Sequence, residues 1–245
     1  MSCDWVVARP IAHRGLHDVR AGVVENSFAA VRAAIAAGFA IECDVRASRD
    51  GEAFVFHDDD LQRLTGQPGR FGDLDAASAG ALRLADGSSI PALADVLSET
   101  GDATPLIIEI KSAFDGDMRA ADRAAQLAEG FARVALKSFD PDVIAHLRAR
   151  GCGAPLGIVA QADYDEPEWS GLTPEQKSEL ASLAHWRRTR PDFLSWRVDD
   201  LPHAGPLLAR EALGVPVITW TVRTPGQWAR AGAWADQAIF EGAAR

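Results

Sequence analysis

Cysteine is scarce: Cys3, Cys43 and Cys152 are the three in 245 residues, odd in number and without a CxxC pair. That excludes a disulfide framework and a thiolate zinc site, and it suits a reducing compartment. Long hydrophobic runs are missing too. The opening MSCDWVVARPIAHRG holds no apolar stretch of signal-peptide length, and no segment approaches the roughly 18 apolar residues of a membrane span. A cytoplasmic protein without stable membrane association is expected. Basic charge is in deficit, with 25 Lys and Arg against 35 Asp and Glu for a formal charge of −10. That argues against nucleic acid or an anionic membrane as partner. It leaves room for a small anionic substrate, since a pocket needs only a few local cations or a bound metal. No Gly/Ser-rich linker or charge run divides the chain, and its length suits one large domain with its own core.

What the chain has is alternation. Strand patterns fall at residues 9–13, 40–45, 53–57, 105–111, 134–138, 156–160, 193–198 and 215–222. Helical patterns lie at 27–38, 93–99, 141–150, 174–188, 206–213 and 225–235, with Ser27 and Asp140 placed to cap two of them. Repeated strand–helix units imply parallel strands joined by right-handed crossovers. At this length the closed (β/α)8 barrel is the expected α/β architecture. The competing doubly wound sheet normally carries a glycine-rich first turn, and HRGLHDVRAG is not a GxGxxG pattern. Residues 58–90, rich in Gly, Asp and Ser, are expected to form a long loop excursion within a single domain, 1–245.

The informative polar residues sit at the C-terminal ends of strands, where barrel enzymes place their chemistry. In AIECDV, period-two alternation puts Glu42 and Asp44 on one face and Ile41, Cys43 and Val45 on the other. In PLIIEIK it groups Glu109 with Lys111. His57 shares a face with Val55 while Phe54 and Phe56 turn toward the helices, and His13 closes the first strand before Arg14. Any one of these residues has an ordinary structural explanation. Four strand ends that all offer inward polar groups do not. Three carboxylates without cysteine suit a hard cation, Mg²⁺ or Ca²⁺. Two histidines beside it suit a general acid and a general base, and Arg14 and Lys111 suit phosphate oxygens. Together they read as phosphoryl transfer.

At these residues the chain resembles the glycerophosphodiester phosphodiesterase family. AHRG, ENS, IECDVRASRDGEAFVFHDDDLQRLTG, IIEIKS, SFDPD and ITWTV occur in that order from residue 10 to about 222. The resemblance implies a (β/α)8 barrel of the phosphatidylinositol-phospholipase-like type. It also implies metal-dependent hydrolysis of a small glycerophosphodiester to glycerol 3-phosphate and an alcohol. Carried onto this sequence, it makes His13 and His57 the catalytic pair and Glu42, Asp44 and Glu109 the ligands of one divalent cation. Arg14 and Lys111 fall at phosphate contacts, Glu25 and Asn26 at an element that supports the metal ligands, and Trp220 at an aromatic near the glycerol. The implied route is a cyclic phosphate formed by the neighbouring glycerol hydroxyl and later opened by water.

The chain departs from the family pattern at Arg223, where asparagine often stands, and at residues 239–242, where IFEG replaces a strand ending in Thr-Asp. Both departures bear on the leaving alcohol. Residues 58–90 are too few for the cap of larger members, which implies weak selection of that alcohol. Trp169, Trp186, Trp228 and Trp234 are expected to pack the outer shell, and the remaining histidines to be structural. Arg197 and Asp199 end a strand and are candidates for contacting the alcohol. A lysophospholipase of the D or C type and a non-catalytic phosphodiester-binding barrel stay open as alternatives, although the acidic chain offers no basic amphipathic segment for a membrane.

Overall fold

The computed structural model describes residues 3–242. Its strands are β1 (Ile11–Ala12), β2 (Ala40–Ala47), β3 (Ala53–Val55), β4 (Leu106–Ile110), β5 (Val134–Ser138), β6 (Leu156–Ala160), β7 (Phe193–Arg197), β8 (Val217–Val222) and β9 (Gln237–Phe240). β1 pairs in parallel with both β2 and β9, so the sheet closes on itself. The order β1-β9-β8-β7-β6-β5-β4-β2 makes eight parallel strands with helices packed outside them, a (β/α)8 barrel. Helix signals in the sequence act where expected. The Ser27 hydroxyl accepts from Ala30 N to start Phe28–Ala36, and Asp140 accepts from Asp142 N to start Pro141–Ala149.

Two strand assignments change. Residues 53–57 are not a barrel strand, because β3 runs antiparallel to β2, with Val55 opposite Val45, as a hairpin arm. Period-two alternation is the same in either direction, so it cannot distinguish them. The eighth barrel strand is β9, four residues with only Ala238, Ile239 and Phe240 as apolar signal. A helix over Arg119–Ala128 also escapes the pattern, since its buried face is Ala120, Ala121, Ala124 and Ala128. The helix expected over 174–188 is broken into Pro174–Ala181 and Trp186–Thr189.

Residues 58–90 are more ordered than a loop. They carry short helices at Gln62–Thr65 and Ala76–Ala81 and a small core of their own in which Leu61, Leu64, Phe71 and Leu84 meet Phe54 and Phe56. Phe56 stacks on Phe71 with ring centroids 4.9 Å apart. Phe54 and Phe56 therefore face this excursion instead of the helices, while Val55 joins the helix-facing core.

Inside the barrel the floor is apolar. Ile11, Ala40, Ile107, Ala135, Phe193, Ile218 and Ile239 form one cluster, closed by Val6 from the short helix Asp4–Val7. Burying each large side chain there contributes about 1.5–3 kcal/mol. Phe193 fills the centre so fully that a Cβ on Gly157 would lie 2.3 Å from its ring. Glycine at 157 is what lets so large a side chain fit inside the strands.

Candidate active site

Two residues further along each strand, the alternation that builds the apolar floor brings polar groups inward. His13 follows Ile11, Glu42 follows Ala40, Glu109 follows Ile107, Lys137 follows Ala135 and Glu241 follows Ile239. Parallel register sets Asp44 opposite Glu109 and Glu109 opposite Lys137. Glu42, Asp44 and Glu109 are buried, and one carboxylate oxygen from each lies within 4.8 Å of the others.

Three cations answer these three carboxylates. Lys111 Nζ lies 2.8 Å from Asp44 Oδ1 and 2.5 Å from Glu109 Oε1. Lys137 Nζ lies 3.0 Å from Glu42 Oε1 and 3.1 Å from Glu109 Oε2. Arg14 Nε is 3.2 Å from Asp44 Oδ2. Burial disfavours the charged carboxylates, but Lys111 and Lys137 outweigh it and hold the Glu109 pKa down at about 2. Lys111 and Arg14 likewise hold Asp44 well below the usual carboxylate range against its burial. Burial pulls Lys137 down, yet Glu42 and Glu109 leave it raised. Glu42 Oε1 is buried and makes no hydrogen bond of good geometry, though the Lys137 ammonium stands 3.0 Å away, while Oε2 accepts from Arg14 N. A close set of hard anionic oxygens, one lacking a hydrogen bond, fits a divalent cation such as Mg²⁺ or Ca²⁺.

Each site histidine is held from behind. His13 Nδ1 is 2.5 Å from Glu241 Oε1, and His57 Nδ1 is 2.6 Å from Asp58 Oδ1. A carboxylate only accepts, so Nδ1 carries the proton in both rings and Nε2 is left for the cavity. Arginines brace the two carboxylates. Arg223 donates to Glu241 from Nε and Nη2 at 2.7 and 3.0 Å, and Arg63 donates to Asp58 from Nε at 2.7 Å. Burial opposes ionisation of Glu241 and Asp58, but hydrogen bonds from histidine and arginine keep both well below their ordinary values.

The loop after β1 is shaped by backbone constraints. Arg14 takes a left-handed conformation (φ 54°), with its N–H on Glu42 Oε2 at 3.2 Å. Gly15 follows at φ 76°, where a Cβ would meet Ala30 at 2.8 Å. Asn26 donates to Asp44 Oδ2 at 3.0 Å and accepts from Asp44 N at 3.3 Å. Glu25 accepts from Arg14 at 2.6 Å and from both Nη atoms of Arg63. Burial would raise Glu25, but Arg63 and Arg14 bring its pKa to about 2.

Above this cluster opens a cavity of about 600 Å³. It is lined by His13, Arg14, His57, Glu109, Lys111, Lys137 and Trp220, while Glu42 and Asp44 lie fully buried behind Lys137 and Lys111. Trp220 also packs edge-on to Phe139 and donates its indole N–H to Ser195 O at 3.0 Å. The ten residues predicted for the site come together: six line the cavity, Glu42 and Asp44 lie buried beneath it, and Glu25 and Asn26 stand behind Arg14 and Asp44. Trp220 lines the wall without joining the charged network. Lys137, Glu241 and Asp58 belong to it as well without having been singled out in the sequence. The parity that groups Glu109 with Lys111 also groups Lys137 with Ala135 and Glu241 with Ile239. Trp169 is a correction: it lines the cavity mouth, with Phe139 at 4.9 Å, instead of packing the outer shell. Arg223 and Arg197 both line the mouth, each tied to a carboxylate, Glu241 and Glu166.

Comparison with known proteins bears on this arrangement. The glycerophosphoryl diester phosphodiesterase family matches residues 13–241. A relative from Caldanaerobacter subterraneus subsp. tengcongensis, named as a glycerophosphodiester phosphodiesterase, is 31% identical over 181 residues, covering 69% of this chain and 73% of that one. A Mycobacterium tuberculosis protein named "Probable glycerophosphodiester phosphodiesterase 2" is 39% identical over 104 residues, 42% of this chain. The matched segment spans only 38% of that relative's length. The barrel superposes on an Oleispira antarctica phosphodiesterase solved with its product sn-glycerol-3-phosphate, with a TM-score of 0.77, 19% identity and coverage of 98% and 95% of the two chains.

Proposed function

Because the chain belongs to the glycerophosphoryl diester phosphodiesterase family, we propose that it hydrolyses small glycerophosphodiesters to glycerol 3-phosphate and an alcohol. One observation carries the reading: three buried carboxylates within 4.8 Å of one another stand beneath a cavity flanked by two carboxylate-backed histidines. Glu42, Asp44 and Glu109 would hold the divalent cation, Mg²⁺ or Ca²⁺, which when bound polarises phosphate and glycerol oxygens. With Arg14, Lys111 and Lys137 the carboxylate cluster is formally neutral, so a bound dication leaves the floor positive toward a phosphodiester anion. That reconciles an anionic substrate with a chain charge of −10.

The protein's own groups then move the protons. One histidine takes the proton of the glycerol hydroxyl beside the ester, and that oxygen attacks phosphorus. The bond from phosphorus to the alcohol oxygen breaks, and the other histidine, protonated, gives its proton to the leaving alcohol. Water opens the resulting cyclic phosphate with the two roles exchanged. The nucleophile is part of the substrate, so it acts at high effective concentration. Arg14 and Lys111 bind the phosphate oxygens, Trp220 packs on the glycerol, and Glu25 and Asn26 hold Arg14 and Asp44 in place. The same reading puts the chain in the cytoplasm as a single-domain enzyme. Among the described residues no helix is long and apolar enough to cross a membrane. The test is glycerol 3-phosphate release from glycerophosphocholine, compared with hydrolysis of lysophosphatidylcholine. EDTA-sensitive release from the first supports the reading, and turnover of the lipid alone overturns it.

A further inference from the structure

The wall of the cavity built by the loops after β4, β5 and β6 has its own chemistry. Phe114, Phe139 and Trp169 line it as partly exposed rings. Trp169 is their hub, with centroids 4.9 Å from Phe139, 6.4 Å from Phe114 and 5.0 Å from Tyr164. Around the rings stand carboxylates. Glu168, next to Trp169, is exposed on the cavity and makes no hydrogen bond or ion pair among the described residues.

The cations nearby are already engaged. Arg197 is held 2.5 Å from Glu166, which also accepts from Gln161 at 2.9 Å. Arg223 is held on both oxygens of Glu241. Asp199 accepts from Gln227 and Arg230, and Asp140 accepts from Ser112 Oγ at 2.6 Å. An anionic group placed here would find Glu168 and, among the described residues, only cations already paired with carboxylates. A neutral polyol could donate hydroxyls to Glu168, but it brings no charge to meet that carboxylate or the aromatic faces, and the Gln161 amide is spent on Asp163 O and Glu166. A cationic group would find aromatic faces and an unpaired carboxylate, the combination that attracts ammonium ions.

We propose that this wall is the leaving-group subsite and that it selects glycerophosphodiesters whose alcohol carries a positive charge, a quaternary or protonated amine. The proposal rests on the phosphodiesterase reading above and names the alcohol class for that site. It replaces the expectation that a short 58–90 excursion leaves the alcohol unselected. Selection comes from the loops after β4, β5 and β6, which lie outside the excursion.

The test compares kcat/KM for glycerophosphocholine and glycerophosphoglycerol, read as glycerol 3-phosphate released with Mg²⁺ or Ca²⁺ present. The cationic diester is expected to be favoured by about tenfold, the scale of one desolvated cation–aromatic contact. Trp169→Leu should collapse that ratio toward one. Glu168→Gln, an exposed change that leaves packing intact, should reduce it about threefold and make it less sensitive to salt. Equal use of the two diesters by the wild type, or a ratio unmoved by both substitutions, overturns this proposal while leaving the phosphodiesterase reading standing. Release of glycerol 3-phosphate from neither diester overturns both.

Discussion

The two halves of the barrel interior are built from the same strands and differ completely in content. The floor is Ile11, Ala40, Ile107, Ala135, Phe193, Ile218 and Ile239. Two residues on, the same strands offer His13, Glu42, Glu109, Lys137, Ser195, Trp220 and Glu241. The floor needs only shape and apolar surface, and it stabilises the fold without partners. The upper level needs every charge matched, because an unmatched buried ion is strongly destabilising. The floor can therefore pack without help, whereas the mouth is stable only as a set and its groups are free to act on something that enters.

That contrast predicts separable effects. The largest is on the floor: Phe193→Ala should cost about 3–5 kcal/mol of stability by opening a cavity, measured by denaturant unfolding, with kcat of the folded fraction nearly kept. A kcat that fell as steeply as stability would break the separation. Next is Lys137→Met, which removes the buried ammonium shared by Glu42 and Glu109, leaves Glu109 with Lys111 alone, and should cost about 3 kcal/mol without metal. Added Mg²⁺ or Ca²⁺ should restore part of this, visible as a cation-dependent rise in Tm larger than that of the wild type. If the cation brings no extra rise, Lys137 does not share its carboxylates with a metal.

His13→Ala and His57→Ala should each lower kcat at least about 10²-fold, a barrier change of about 2.7 kcal/mol, with little change in Tm. Residual activity of more than a tenth in either variant would contradict their roles. The smallest effect lies outside both halves. His185 is buried between helices, with Nδ1 3.3 Å from the Thr189 hydroxyl. Burial and then Arg188 lower its pKa from 6.5 to about 4. The unfolded chain takes up the proton first, so this contribution to stability is full above about pH 6.5 and is lost as pH falls toward 4, about 2 kcal/mol by pH 5. His185→Gln should lose less stability than the wild type over that interval, and parallel pH curves would refute the assignment.

Much of this was legible in the sequence, for a physical reason. A strand buried on one side by helices and on the other by a barrel interior should be apolar throughout, so Glu42, Asp44 and Glu109 stand out against their neighbours. Lys137 and Glu241 obey the same parity and were equally readable, but a lone lysine in VALKS or a glutamate after a four-residue strand carries no partner in the local sequence. Their partners lie 18 or more residues away in other elements. The direction of β3 is not encoded in side-chain period; its signal is the short Asp50-Gly51 connection, which is too short for a parallel crossover and closes a hairpin with β2. Trp169 reaches the mouth from a short helix, Pro167–Trp169, within a loop whose path has no periodic signature. What alternation encodes can be read from the chain, and what irregular loops and long-range pairing decide cannot.

The most direct test of the central claim is a crystal structure of the protein grown with Mg²⁺ or Ca²⁺ and glycerol 3-phosphate. One cation is predicted within about 2.0–2.6 Å of oxygens from Glu42, Asp44 and Glu109, with the phosphate between the Nε2 atoms of His13 and His57. A cation bound elsewhere, or a phosphate out of reach of either histidine, would contradict it.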